Sequence, residues 1–232
     1  MFHTTRWSLI AAAGGAAAPA SRQALADLCE QYWYPVYAYV RRRGNDRHHA
    51  EDLTQPFFTR LLEMNDFAAA DRTRGRFRSF LLSACQHFLA NHHDFATAQK
   101  RGGCAKRSPI DFGVGEERFS REPVDRNAPE ADFERRWACT LLDQTLTVLR
   151  KEYVESGKAA LFDVLKGTLT GETASYKVFA EKLGLSEGAI KVTIHRLRQR
   201  YREKLKEVIA ETVESAADVE DEIRDLFSAF NS

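Results

Sequence analysis

Apolar side chains recur every three to four residues through most of this chain, and no stretch alternates β-branched with polar residues over a strand's length. That periodicity predicts an all-α fold. It places helices near 21–43, 47–63, 77–99, 131–155, 158–169, 175–183, 187–210 and 218–230. The longest break is "GGCAKRSPIDFGVGEERFSREPVDRNAP" over 102–129, which mixes Gly, Pro and charge without a usable period and reads as a linker. The expected organisation is two small helical domains, 21–103 and 131–207, joined by an irregular acidic linker over 104–130. An N-terminal extension covers 1–20 and an acidic helical tail covers 208–232.

Several function classes are excluded early. No window approaches 18 consecutive apolar residues, and the start of the chain lacks a signal-peptide layout, so a cytoplasmic protein without a membrane segment is expected. The apolar stretch "LIAAAGGAAAPA" is short and broken by Gly14, Gly15 and Pro19, and reads as a short helix followed by a loop. Cys29, Cys85, Cys104 and Cys139 are far apart with no Cys-x-x-Cys pair, the usage of a reduced protein without a zinc site. His48-His49 and His92-His93 are adjacent pairs, not the i, i+4 spacing that lets two ligands share a helix face. No nucleophile–base pair, phosphate-cradling Gly loop or metal cluster is readable. The expectation is no enzyme, no metal and no cofactor.

Charge is segregated although the total is only +1. Residues 72–107 carry eight Lys/Arg and one Asp, a net of +7, and residues 111–134 carry eight acids and three Arg, a net of −5. Residues 187–206 carry seven Lys/Arg and two Glu, a net of +5, and residues 207–232 carry eight acids and one Arg, a net of −7. Two basic blocks separated by an acidic one suggest two contacts with a polyanion.

The second block is organised. In "LGLSEGAIKVTIHRLRQRYREKLK", from Leu183 to Lys206, Ile190, Ile194, Leu197 and Tyr201 share one helical stripe. Lys191, His195, Arg198 and Arg202 share another. Ser186 stands at the N-cap position and Gly184 where positive φ ends the preceding helix, "ASYKVFAEKLG". Ala180 supplies the small residue that a close helix crossing needs. Helix, glycine turn, Ser cap and basic helix form a helix-turn-helix pattern, whose second helix enters a major groove N-terminus first. A solvated basic face is the bland alternative.

In the first domain, "AEDLTQPFFTRLLE" (50–63) puts Asp52, Gln55, Thr59 and Glu63 on a polar stripe opposite Leu53, Phe57 and Leu61. Pro56 removes one helix hydrogen bond, so a kink or an interruption is expected there. In "DRTRGRFRSFLLSACQHFLANHHDFATAQKR" (71–101), Phe77, Leu81, Cys85, Phe88 and Phe95 make the buried face. Ser83, Gln86, His87, Ala90, Asn91 and Asp94 lie opposite. Its arginines, interleaved with aromatics, suit phosphate contact and base stacking, with Phe80, off the core stripe, as the stacking candidate.

Taken in order, "AEDLTQ-x-FF-x-RLLE", "GRFRSFLLSACQHFLA", a variable linker and "SYKVFAEKLGLSEGAIKVTIHRLRQRYRE" resemble the bacterial RNA polymerase sigma factors, most closely the extracytoplasmic-function group. The resemblance covers roughly 21–101 and 133–206. It implies that Asp52, Gln55 and Thr59 contact core RNA polymerase. It implies that Arg74, Arg76, Arg78, Phe80, His87 and Asn91 capture and open the promoter −10 element. Ser186, Lys191, Val192, His195, Arg196 and Arg198 would read the −35 element, and the linker would thread toward the polymerase active-site cleft. Implied partners are core polymerase, promoter DNA and, left open, an anti-sigma or other regulatory protein. The chain departs from the pattern at Pro56, where an acid is common, at His87, Asp94 and Phe95, and at Val192 and Thr193. The competing reading is a stand-alone helix-turn-helix regulator that binds its operator without polymerase. For the tail, the stripe Val219, Ile223, Leu226, Phe227 and Phe230 suggests either a helix packed back on the second domain or an acidic brake on its basic helix.

Overall fold

The computed structural model describes residues 6–7, 19–63, 76–95, 110–121, 128–171 and 174–230, with the backbone alone over 92–95. The fold is all-α. Nine α-helices are present among the described residues: α1 (Pro19–Arg42), α2 (Arg47–Glu63), α3 (Phe77–Phe95), α4 (Phe112–Arg121), α5 (Pro129–Glu155), α6 (Ala159–Leu165), α7 (Tyr176–Leu183), α8 (Glu187–Ala210) and α9 (Ala216–Ser228). A 3-10 turn, Lys166–Leu169, follows α6. The chain forms two compact units, one of residues 1–140 and 209–232, the other of residues 141–208. The expected boundaries, linker at 104–130 and second domain from 131, are displaced: the break falls inside α5, and the last helix belongs with the first unit.

In the first unit α1 is bent. Pro35 has no N–H for the Gln31 carbonyl and its ring presses on that turn, and Tyr32 leaves helical geometry there (φ −118°, ψ 21°). Pro56 does not interrupt its helix. Helix α2 runs unbroken from Arg47 to Glu63, and Pro56 sits on its exposed side, where water can serve the Asp52 carbonyl that loses its donor. Leu25, Leu28, Tyr32, Tyr37, Phe57, Leu61, Phe77, Leu81, Phe133 and Trp137 fill the interior. Tyr32 stacks on Trp137 with ring centroids 4.2 Å apart. At about 1.5–3 kcal/mol per buried large apolar side chain, this core is the main source of the unit's stability. Cys29 and Cys85 are buried free thiols, and burial pushes both up, Cys85 to about 12.

Helix α4 lies within the stretch read as an irregular linker. Two glycines hide its pattern, and one of them makes its docking possible. A Cβ at Gly115 would stand 2.5 Å from Trp33 Cη2 and 2.9 Å from Cζ3. Beside this close approach Glu116 accepts two bonds from Arg41, at 3.0 and 2.9 Å, and one from the Tyr37 hydroxyl. The Phe119 ring lies against the guanidiniums of Arg41, Arg42 and Arg136 at 4.6, 4.7 and 5.4 Å from its centroid. The acidic charge of this segment is thus partly spent inside the first unit.

The second unit has its own core: Leu149, Phe162, Leu165, Phe179, Ala180, Ile190, Ile194 and Leu197. No helix among the described residues is long and apolar enough to cross a membrane.

Replacing Gly115 with Ala sets helix propensity against packing. Propensity alone favours Ala by about 1 kcal/mol, whereas overpacking against a held indole costs about 1–3 kcal/mol. Thermal denaturation of Gly115→Ala is expected to show a lower Tm. A higher Tm would mean that α4 does not pack on Trp33.

Candidate nucleic-acid interface

In the second unit the local geometry follows from capping. Ser175 Oγ accepts from the Lys177 amide at 3.3 Å to start α7. Gly184 ends it in the left-handed region (φ 66°), and the Leu185 amide donates to the Ala180 carbonyl at 3.1 Å. Ser186 Oγ then accepts from the Ala189 amide at 3.2 Å and begins α8. Ile190, Ile194 and Leu197 are buried, which turns the opposite faces of α8 outward.

Lys191, Val192, His195 and Arg196 are all exposed on the first turns of α8. Lys191 Nζ lies 5.4 Å from the centroid of the half-exposed Tyr176 ring on α7. Arg198 is also exposed, but its Nη2 donates to the Thr168 carbonyl at 3.2 Å, so part of its capacity is held within the unit.

Further along, Arg200 and Lys204 are structural. Arg200 makes a two-pronged pair with Glu152 at 3.1 and 2.9 Å and a further bond to Glu203 at 3.0 Å. Lys204 bonds Glu207 at 2.6 Å and pairs with Glu152. Lys204 is therefore an internal tie, not the outward phosphate contact that its place in the basic run suggests. Burial works to raise the Glu152 carboxyl, but the bonds from Lys204 and Arg200 outweigh it and hold the group below its ordinary range. No feature of residues 187–206 alone points to Glu152, because it lies on α5.

In the first unit, Asp52 is exposed on α2, Gln55 and Thr59 are half-buried, and the Thr59 hydroxyl donates to the Gln55 carbonyl at 3.0 Å. The stripe exists, with Asp52 and Glu63 its exposed members. His87 and Asn91 are both exposed, one turn apart on α3.

Of the other residues expected at the −10 element, Phe80, Arg76 and Arg78 are engaged within the first unit. Arg74 lies outside the described residues. Phe80 is half-buried, its ring centroid 5.3 Å from that of Trp7, so it packs inward and is not a presented stacking platform. Trp7 is held by its amide, which donates to the Glu211 carbonyl at 3.1 Å. Arg76 and Arg78 are taken up by α9. Arg78 pairs with Glu222 at 2.8 Å and with Asp225 at 2.8 Å, and also with Glu134 of α5. Arg76 pairs with Glu222 at 3.2 Å and also with Asp225. Arg78 is 9 % exposed and Glu222 2 %. Burial pushes the Glu222 carboxyl up against the pull of both guanidiniums.

These contacts correct the reading of the tail as a helix packed back on the second domain. Helix α9 packs within the first unit, through Val219, Glu222 and Leu226. Phe227 and Phe230, read as part of the same apolar stripe, are exposed.

Among the described residues no group of three His, Cys, Asp or Glu side chains is arranged to hold a metal ion. No family model, curated protein or solved structure matches the chain.

A depressed carboxyl stabilises the fold above its unfolded value, and that contribution disappears as the pH falls through the folded value. The Tm advantage of the unmodified protein over Glu152→Gln is therefore expected to hold at pH 6 and to shrink below about pH 4, the ordinary carboxylate range. A difference independent of pH would show that Glu152 is not ionised in this tie.

Proposed function

We propose that this chain is a non-enzymatic promoter-specificity subunit of bacterial RNA polymerase, acting in the cytoplasm. The observation that supports this most strongly is the start of α8. Lys191, Val192, His195 and Arg196 stand exposed together on a capped helix whose opposite stripe is buried. A helix presented in this way fits a major groove, with its first turns at the base edges and its later cations toward phosphates. The ties of Arg200 and Lys204 to Glu152 strengthen the assignment, because they leave readout to the first turns.

In this reading the second unit holds duplex at the −35 element. The first unit engages polymerase through Asp52, with Gln55 and Thr59 beside it, and meets the opened −10 strand along α3, where His87 and Asn91 are exposed. No chemical step is involved. The work is recruitment, positioning and capture of unpaired bases.

Two sets of variants test the proposal. Asp52→Ala with Gln55→Ala is expected to weaken core polymerase binding in a titration while the helical circular dichroism is unchanged. Arg196→Ala is expected to cost about 1–3 kcal/mol at one or two −35 positions. Arg202→Ala, at an exposed site further along α8, is expected to weaken binding evenly and to flatten the salt dependence. Unchanged polymerase affinity, together with palindromic operator binding by the chain alone, would favour a stand-alone regulator instead.

A further inference from the structure

Arg76 and Arg78 are the described cations that a single-strand contact by the first unit most needs, and acids of α9 already neutralise both. We infer that Glu222 and Asp225 occupy the phosphate positions of this arginine pair, so that Arg76 and Arg78 accept a single-stranded DNA backbone only when α9 leaves them. The inference rests on the −10 role proposed above for the first unit.

The chemistry of the contact is that of an anion stand-in. Two carboxylates one helical turn apart face two guanidiniums, and charge-assisted bonds of this kind form equally with carboxylate and phosphate oxygens. Exchange of one polyanion for the other keeps both arginines paired, so neither is left as a buried, uncompensated charge.

The hold on α9 is of a kind that can be exchanged. The helix has 13 residues, too few to be stable in isolation, so it depends on its docking. Its buried residues are Val219, Glu222 and Leu226, and one of those three is the charge that pairs with the arginines. Phe227, 54 % exposed, and Phe230 add little apolar anchorage. Half-buried Ile223 adds to the apolar contact, so the attachment is part apolar and part ionic, and its ionic part is open to competition by a strand of phosphates. A cavity of about 300 Å³ opens beside the pair, lined in part by Arg78, Glu134, Arg135 and Asp225, and brings a further cation to its mouth.

A purely structural clamp makes the opposite prediction, because removing the carboxylates would then loosen the fold without any gain in binding. The test uses the full chain and a fluorescent, unstructured oligodeoxynucleotide followed by anisotropy at low salt. Glu222→Gln with Asp225→Asn keeps the side-chain shapes and removes the charges. This variant is expected to bind the oligonucleotide on the order of tenfold tighter, and adding Arg76→Ala and Arg78→Ala should abolish the gain. Equal or weaker binding by the carboxylate variant overturns the inference.

A second measurement does not depend on any variant folding. In the unmodified protein, saturating oligonucleotide should speed hydrogen exchange at the α9 amides, and unchanged or increased protection there contradicts the exchange. Core polymerase binding, assayed separately, distinguishes the two failures. If polymerase binds but α9 does not respond to the strand, only the inference falls. If polymerase does not bind, the promoter role falls whatever α9 does.

Discussion

The ion cluster of Arg76 and Arg78 with Glu222, Asp225 and Glu134 determines how the first unit closes. It joins positions 144 residues apart in sequence, Arg78 to Glu222, across a pair that is almost wholly excluded from water. The added loop-closure cost of such a separation grows only logarithmically, whereas either charge buried alone would be strongly destabilising. The apolar core contributes more free energy in total, but it does not specify which strip of chain lies over the start of α3. The cluster does. Once it is set, the neighbouring contacts fall into register: the Phe77 amide meets the Thr212 carbonyl at 2.9 Å, Arg76 bridges to Val213, and Trp7 packs on Phe77 and Phe80.

The second unit follows a different logic, in which one helix divides its charge. Helix α8 buries one stripe, spends Arg200 and Lys204 on Glu152, and keeps its first turns exposed. Of the seven cations in this run, Arg200 and Lys204 are thus structural, while Lys191 and Arg196 stand exposed at its start. Net charge alone conceals that division.

Much of this could be read in advance where the cause is local. The stripe of Ile190, Ile194 and Leu197, the Ser186 cap and the Gly184 turn depend on residues within one helical turn of each other, and the exposure of Lys191 and Arg196 follows from them. Helix α4 was not legible, because its docking rests on the absence of a side chain at Gly115 and on cation–ring contacts at Phe119. Neither produces an apolar period. The fates of Phe80, Arg76 and Arg78 were hidden for another reason. Each is decided by a partner far away in the chain, Trp7 for the ring and Glu222 with Asp225 for the cations. An amphipathic pattern says that a face will be covered, but it does not say by what.

The most direct test is transcription from a pool of randomised promoters by core polymerase, with and without this chain. The promoter-specificity reading predicts products only when the chain is present, with two short enriched blocks, the upstream one lost or altered in Arg196→Ala. Transcription indifferent to the chain, or enrichment of a palindrome bound without polymerase, would contradict it.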